Sequence, residues 1–283
     1  MPTPHEVVEY LLPFVLRAGS YSAVVQDRIG VQGAKQGSTA FHHALSDADL
    51  TIQAFLEVAL LAKYPDVSFF SEEQDQSLNK KYFPEGCELE VLLDPVDGTK
   101  AYIDNRETYQ VIVTLHDRDS ICAALCYLPR LERCFIAYRN EGTYVFTAEE
   151  VRSGSPGTRI SLHHATGPVL VFDQPKLVAA LQPFFDVRDL TVDYAQGAWS
   201  FNTLDLLNGR VSAIISAPAQ AIDGGALSFM AHEAGAIVST PDGLPMGSFR
   251  TNPKRVLPCI ISSVSRAVHD TILEALKDVP GIR

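Results

Sequence analysis

Apolar residues follow two patterns along this chain, and the change from one to the other divides it. From Pro4 to about Asp27 they recur at helical spacing (Val7, Val8, Leu11, Leu12, Val15), with Pro13 as an expected kink. Gly30 to Gly37 is polar and glycine-rich and reads as a loop. Ser46 opens a second helix through Asp49, Ile52, Phe55, Leu56 and Leu60, ending near Tyr64-Pro65. A short strand, Val67 to Phe70, runs into Ser71-Glu72-Glu73, and the apolar stretch Leu89 to Leu93 runs into Asp94. Four strand-like stretches follow at regular spacing: Tyr109 to His116, Ser120 to Tyr127, Arg133 to Arg139 and Thr143 to Thr147. Their spacing and turn residues predict an antiparallel meander.

From about Val151 the pattern changes. Strands near Val169 to Phe172 and Val211 to Ser216 alternate with helical stretches near Lys176 to Phe184, Ser200 to Leu207 and Gly225 to Gly235. A strand at Leu257 to Ser263 and a helix at Ser265 to Lys277 close the chain. The fold class read from this order is α+β, with an antiparallel sheet in residues 1–150 and a mixed α/β half in residues 151–283.

Composition narrows the partners. With 283 residues, 46% of them hydrophobic, the chain can bury one large core or two smaller ones. A formal charge of −11 argues against nucleic acid or an anionic membrane surface as partner. The five cysteines (Cys87, Cys122, Cys126, Cys134, Cys259) form no Cys-x-x-Cys and no zinc spacing, which reads as free thiols in a reducing cytoplasm. Cys122 and Cys126 are expected on one face of a strand by their even spacing. The N-terminus lacks the plan of a signal peptide, and no apolar run reaches membrane-spanning length. A cytoplasmic location is therefore expected.

One run changes the picture most. Asp94-Pro95-Val96-Asp97-Gly98-Thr99 places two carboxylates at the end of a buried strand, with no Lys or Arg inside the run. Such carboxylates are costly unless a cation meets them, and a metal ion is the simplest one. The run reads as strand, tight turn and helix start, where backbone N–H groups and the Thr99 hydroxyl can hold an anion. Three other acidic sites have ordinary explanations when taken singly. Glu72-Glu73 reads as a solvated pair, Ser46-Asp47-Ala48-Asp49 as a capping box, and Asp223 before Gly224-Gly225 as a helix cap. Their joint order and spacing override those explanations.

Together these motifs identify the chain as resembling the inositol monophosphatase superfamily of lithium-sensitive, magnesium-dependent phosphatases. Its Glu-Glu pair is matched by Glu72-Glu73, its Asp-Pro-x-Asp-Gly-Thr run by Asp94 to Thr99. Its Asp before a helix ending in Glu-Ala-Gly is matched by Asp223 and Glu233-Ala234-Gly235, and its early helix acid by Asp49. The resemblance implies a layered αβαβα sandwich of the sugar-phosphatase type, two or three Mg²⁺ ions, and a homodimer. It implies metal binding by Glu72, Asp94, the Val96 carbonyl, Asp97 and Asp223. It also implies a water oriented and deprotonated by Asp49 and Thr99, with Glu73 supporting them, and phosphate held at Gly98 and Thr99. Lys100 reads equally as a residue near the phosphate mouth or as an exposed lysine on a helix face.

Substrate choice falls to the second half. Inositol-selective members carry an acid seven positions before the third-motif Asp, where this chain has Ser216, and Ile222 replaces the usual Trp. The Asp97-Gly98-Thr99-Lys100 run resembles the bisphosphate nucleotidases, and Asp223-Gly224-Gly225-Ala226 leans toward histidinol phosphate phosphatases. An inositol-phosphate-type polyol or sugar phosphate stands first, ahead of these two and of fructose 1,6-bisphosphate. A two-metal nuclease would need a basic groove, which the acidic balance disfavours. A non-catalytic metal or phosphate binder would be suggested by a missing ligand, and none is missing. His42-His43 and His163-His164 lack a third metal ligand at useful spacing, and Trp199 reads equally as a substrate neighbour or a packing residue.

Overall fold

The computed structural model describes residues 1–28, 46–162, 166–197 and 201–282. Gly30 to Gly37, His42, His43, His163, His164 and Trp199 lie outside them. In order, the elements are α1 (Pro4–Val25), α2 (Asp47–Lys63), β1 (Ser68–Ser71), β2 (Glu90–Asp97), α3 (Thr99–Ile103), β3 (Gln110–His116), β4 (Ile121–Leu128), β5 (Arg133–Tyr138), β6 (Gly142–Thr147), α4 (Ala148–Ser153) and β7 (Thr158–Arg159). They continue with β8 (Val169–Val171), α5 (Pro175–Leu181), β9 (Val187–Asp189), α6 (Leu190–Ala195), β10 (Ala213–Ser216), β11 (Ala219–Gln220), α7 (Gly224–Glu233), β12 (Ile237–Ser239), β13 (Val256–Leu257), β14 (Ile260–Ser263) and α8 (Arg266–Leu276). Two compact units result: Met1–Arg139 with Tyr144–Thr158, and Asn140–Thr143 with Arg159–Arg283.

The first unit is built on a seven-stranded sheet in chain order, β1 to β7. β1 lies parallel to β2, and β2 to β5 form the expected antiparallel meander. Alternate residues of the sheet (Val91, Leu93, Val111, Val113, Leu115, Leu125, Tyr127) join Val7, Leu11, Val15, Ile52, Leu56 and Leu60 of the two long helices in one buried core. α1 starts where Thr3 caps it, with Pro4 at the first helical position, and it continues through Pro13 without a break. It approaches β4 so closely that a Cβ on Gly19 would sit 2.7 Å from the Tyr127 ring and 2.8 Å from Pro129, so only glycine fits.

The second unit holds a five-stranded sheet ordered β12-β14-β10-β8-β9, mixed in direction as expected: β8, β9 and β10 are parallel, β14 antiparallel to both its neighbours. Its core gathers Val169, Val171, Leu177, Ala213, Ile215, Ile261, Ile272 and Leu276. The helix expected over 200–207 is instead a single 3-10 turn at Thr203–Asp205, among the described residues of that stretch. Asn202 and Asp205 cap it reciprocally, and Asn208-Gly209 stops it before a full α turn can repeat. Among the described residues no helix is long and apolar enough to cross a membrane.

A bulge corrects one reading. Cys122 falls at a register shift between Leu115↔Ala123 and His116↔Ile121. The shift sends Cys122 into the helix-covered core, whereas Cys126 stands on the other face. Even spacing therefore does not put the two thiols on one face. All five cysteines are free.

Candidate active site

β2 does not end before its acidic run. It continues to Asp97, and only Gly98 turns the chain, with φ +83°, a left-handed value suited to glycine. The pairing of β2 with β3 shifts between Asp94↔Ile112 and Asp97↔Gln110, so three steps on β2 match two on β3. Residues three apart on a regular strand point to opposite faces. Here the extra residue, next to Pro95, which has no N–H to give the ladder, turns Asp94 and Asp97 to the same face. That face is opposite the one α1 and α2 cover. This bulge is what makes the two carboxylates a pair.

Asp94 is buried, 3% exposed, and its Oδ1 accepts from the Val96 N–H at 3.1 Å. Glu72 follows β1, tied to β2 by its own N–H donating to the Leu93 carbonyl at 3.1 Å. Because β1 and β2 are parallel, Glu72 and Asp94 leave the same end of adjacent strands. Burial pushes the Asp97 carboxyl up to about 6; the negative charge of Glu72 adds to the rise, against hydrogen bonds from Gln110 and the Gly98 backbone. Glu73 is buried beside exposed Glu72, so the pair is not the solvated doublet its sequence suggests.

Asp49 arrives from the start of α2 and is fully buried. Its Oδ2 accepts from the Ser46 N–H at 2.9 Å and the Ser46 hydroxyl at 2.6 Å. Its Oδ1 faces the Thr99 hydroxyl at 3.2 Å, and that hydroxyl also lies 2.9 Å from the Val96 carbonyl. Hydrogen bonds thus link Asp49 to Thr99 and Thr99 to Val96, while Asp94 and Asp97 share one sheet face and Glu72 leaves the strand beside Asp94. Lys100 Nζ is engaged by Asp104, at 2.5 and 2.7 Å.

The other candidates belong to the second unit. Asp223 caps α7 with its carboxylate accepting from the Gly224 N–H. Ser216 ends β10 against that turn, where a Cβ on Gly224 would meet its hydroxyl at 2.7 Å, and Ala226 is buried in the first turn of α7. Among the described residues, no three His, Cys, Asp or Glu side chains stand close enough to hold a metal ion. The donor set is nevertheless of one kind: carboxylates and a backbone carbonyl, all oxygen, which suits hard divalent cations such as Mg²⁺ or Ca²⁺.

A family model for the inositol monophosphatase family matches residues 15–280. The chain belongs to that family. It is 23% identical over 149 residues to a histidinol-phosphatase of Chlorobaculum parvum, covering 53% of this chain and 52% of that one. Against a 3'(2'),5'-bisphosphate nucleotidase CysQ of Haemophilus influenzae it is 26% identical over 120 residues, 40% of this chain and 42% of that one. The chain thus spans about half the length of these curated relatives. An IMPase/NADP phosphatase solved with Mg²⁺ and phosphate superposes with a TM-score of 0.71 at 16% identity, covering 98% of this chain and 97% of the other. That likeness is of fold, and it fits the α+β class read from the sequence.

Two residues that shape the site carry no motif. Gln53, one turn beyond Asp49 on α2, donates to the Glu73 carbonyl at 3.1 Å and accepts from the Ser71 hydroxyl, bracing the Glu72-Glu73 turn. Gln110 donates to the Asp97 carboxylate. The only sign of Gln110 in the sequence is a polar residue heading the apolar run Val111-Ile112-Val113.

Proposed function

We propose that this chain is a Mg²⁺-dependent phosphomonoesterase that hydrolyses a small phosphorylated metabolite by direct attack of water. The observation that carries the reading is the bulge that turns Asp94 and Asp97 to one face, beside the buried Asp49–Thr99 pair. Glu72, Asp94, Asp97 and the Val96 carbonyl are the residues that would hold two or three ions, and Asp223 is proposed as a further ligand from its match to the family motif. Bound divalent ions lower the pKa of a water and offset charge on the phosphate oxygens.

The chain's own groups then have distinct tasks. Thr99 Oγ1 orients the water and accepts its proton while passing its own to Asp49 Oδ1. Ser46 occupies Asp49 Oδ2 with two donors, which fixes the carboxylate with Oδ1 toward Thr99. Glu73 supports the ligand turn from its buried position. Gly98 and Thr99 offer backbone N–H groups to phosphate oxygens, with Lys100 at the mouth if it leaves Asp104. Free thiols at all five cysteines support a reducing, cytoplasmic setting.

For substrate, a polyol or sugar phosphate of the inositol type stands first. Ser216 favours a second reading, histidinol phosphate or a 3'-phosphorylated nucleotide, because it brings no carboxylate to hold ring hydroxyls; relatives named for those two activities support it. Ser216 and Ala226 are the proposed substrate neighbours. The test is a phosphate-release screen over inositol phosphates, histidinol phosphate, 3'-phosphoadenosine 5'-phosphate and fructose 1,6-bisphosphate, with Mg²⁺, with EDTA and with Li⁺. Release that needs Mg²⁺ and falls with Li⁺ is expected. Release that survives EDTA overturns the metal-dependent reading.

A further inference from the structure

Gln110 opens β3 and is 3% exposed. Its amide spans the strands on either side: Nε2 donates to Asp97 Oδ2 on β2, and Oε1 lies 2.9 Å from Cys126 Sγ on β4. The register explains the reach. Gln110 pairs with Asp97, and Ile112, two residues on, pairs with Cys126, so all four side chains share the face that also carries Asp94.

The two ends of a glutamine amide have nearly the same shape, so its partners decide which way it points. An ionised carboxylate can only accept, which demands the NH₂ end; the thiol S–H can donate, which suits the oxygen end. Cys126 keeps its proton: burial, then the charges of Asp97, Cys134 and Asp94, hold its pKa well above the ordinary thiol value. A flipped amide would set oxygen against carboxylate and nitrogen against the thiol, losing both bonds.

We infer that Gln110, oriented by Cys126, is a positioning residue for divalent-metal binding, fixing the Asp97 carboxylate on the face it shares with Asp94. The inference rests on the phosphatase reading and goes beyond its ligand set to the group that aims one ligand. Partners of ligating side chains are typically worth about 10–100-fold in metal affinity. Gln110→Met keeps the volume and removes the donor. Cys126→Ala removes the thiol, and Cys126→Ser restores a donor.

The experiment is a Mg²⁺ titration of each full-length variant, read by the rise in Tm and in parallel by the Mg²⁺ dependence of phosphate release. Gln110→Met is expected to need about tenfold more Mg²⁺ for half of the Tm rise, with kcat at saturating Mg²⁺ kept within about threefold. Cys126→Ala is expected to need about threefold more, and Cys126→Ser less than Cys126→Ala. A general packing defect would lower Tm without producing that order of Mg²⁺ requirements. Should Gln110→Met not fold, the two Cys126 variants decide alone. Midpoints within twofold of wild type for Gln110→Met, or for Cys126→Ala where it must decide, overturn the inference. A wild type that Mg²⁺ neither stabilises nor activates overturns the phosphatase reading itself, and this inference with it.

Discussion

The first unit contains the same capping device at the starts of its two long helices, in two very different settings. At α1, Thr3 donates to Glu6 Oε2 through its N–H (2.7 Å) and hydroxyl (3.0 Å). At α2, Ser46 does the same to Asp49 Oδ2, at 2.9 and 2.6 Å. Glu6 lies at the surface, whereas Asp49 is fully buried and presents its second oxygen to Thr99. The hydrogen bonds that end one helix thus aim a carboxylate in the other. A local motif specifies the bond; only the place where the helix begins decides whether it serves more than the helix.

The strongest way to test that contrast starts beside it, at Asp94. Asp94→Asn keeps an oxygen for the Val96 N–H but removes the charge that pairs with Asp97 on one face. We expect phosphate release to fall by more than about 100-fold, since even partners of metal ligands cost 10–100-fold, with Tm near that of wild type. A near-normal rate in this variant would remove the metal assignment. Asp49→Asn comes next: kcat is expected to drop about 100-fold because the proton can no longer pass from Thr99. Glu6→Gln, its counterpart at α1, should leave kcat unchanged. Equal effects of the two would mean that both boxes serve only as caps.

Thr99→Ala isolates the link between cap and site. It should lower kcat by about 10- to 100-fold and change KM little, with Thr99→Ser recovering most of the rate through its hydroxyl. A variant in which KM rises and kcat holds would make Thr99 a binding residue instead.

How much of this could be read beforehand follows from how local each feature is. The meander, α1, α2, α7 and α8 are visible because their apolar periods persist over whole elements. The Asp94 to Thr99 run is visible because its residue types are so specific. The facing of Asp94 and Asp97 was not legible: a period of two puts them on opposite sides, and the bulge depends on pairing with Ile112 and Gln110 on another strand. Pro95 was the one local hint. The same reason hid Cys122, whose face is set by a shift against Leu115 and His116. Gln53 and Gln110 carry no local signal because their partners lie 20 and 13 residues away. The 200–207 stretch reads as a helix because Leu204 and Leu207 have helical spacing, yet the Asn202–Asp205 cap closes after one turn.

The smallest expected effect sharpens the comparison from its surface side. The Thr3 backbone N–H, and then its hydroxyl, hold the Glu6 carboxyl below its ordinary value of 4.5. A depressed carboxyl stabilises the folded state fully above the unfolded value, and that stabilisation is lost as pH falls from 4.5 through the folded value. At pH 7 Glu6→Gln should therefore lower Tm slightly, by about 2 °C or less for a chain of this size. The difference from wild type should shrink as pH falls below 4.5, because protonated Glu6 then resembles glutamine. Melting curves of both proteins from pH 7 to pH 3 measure it. A difference that stays constant across that range would mean that the side-chain charge adds nothing to this cap.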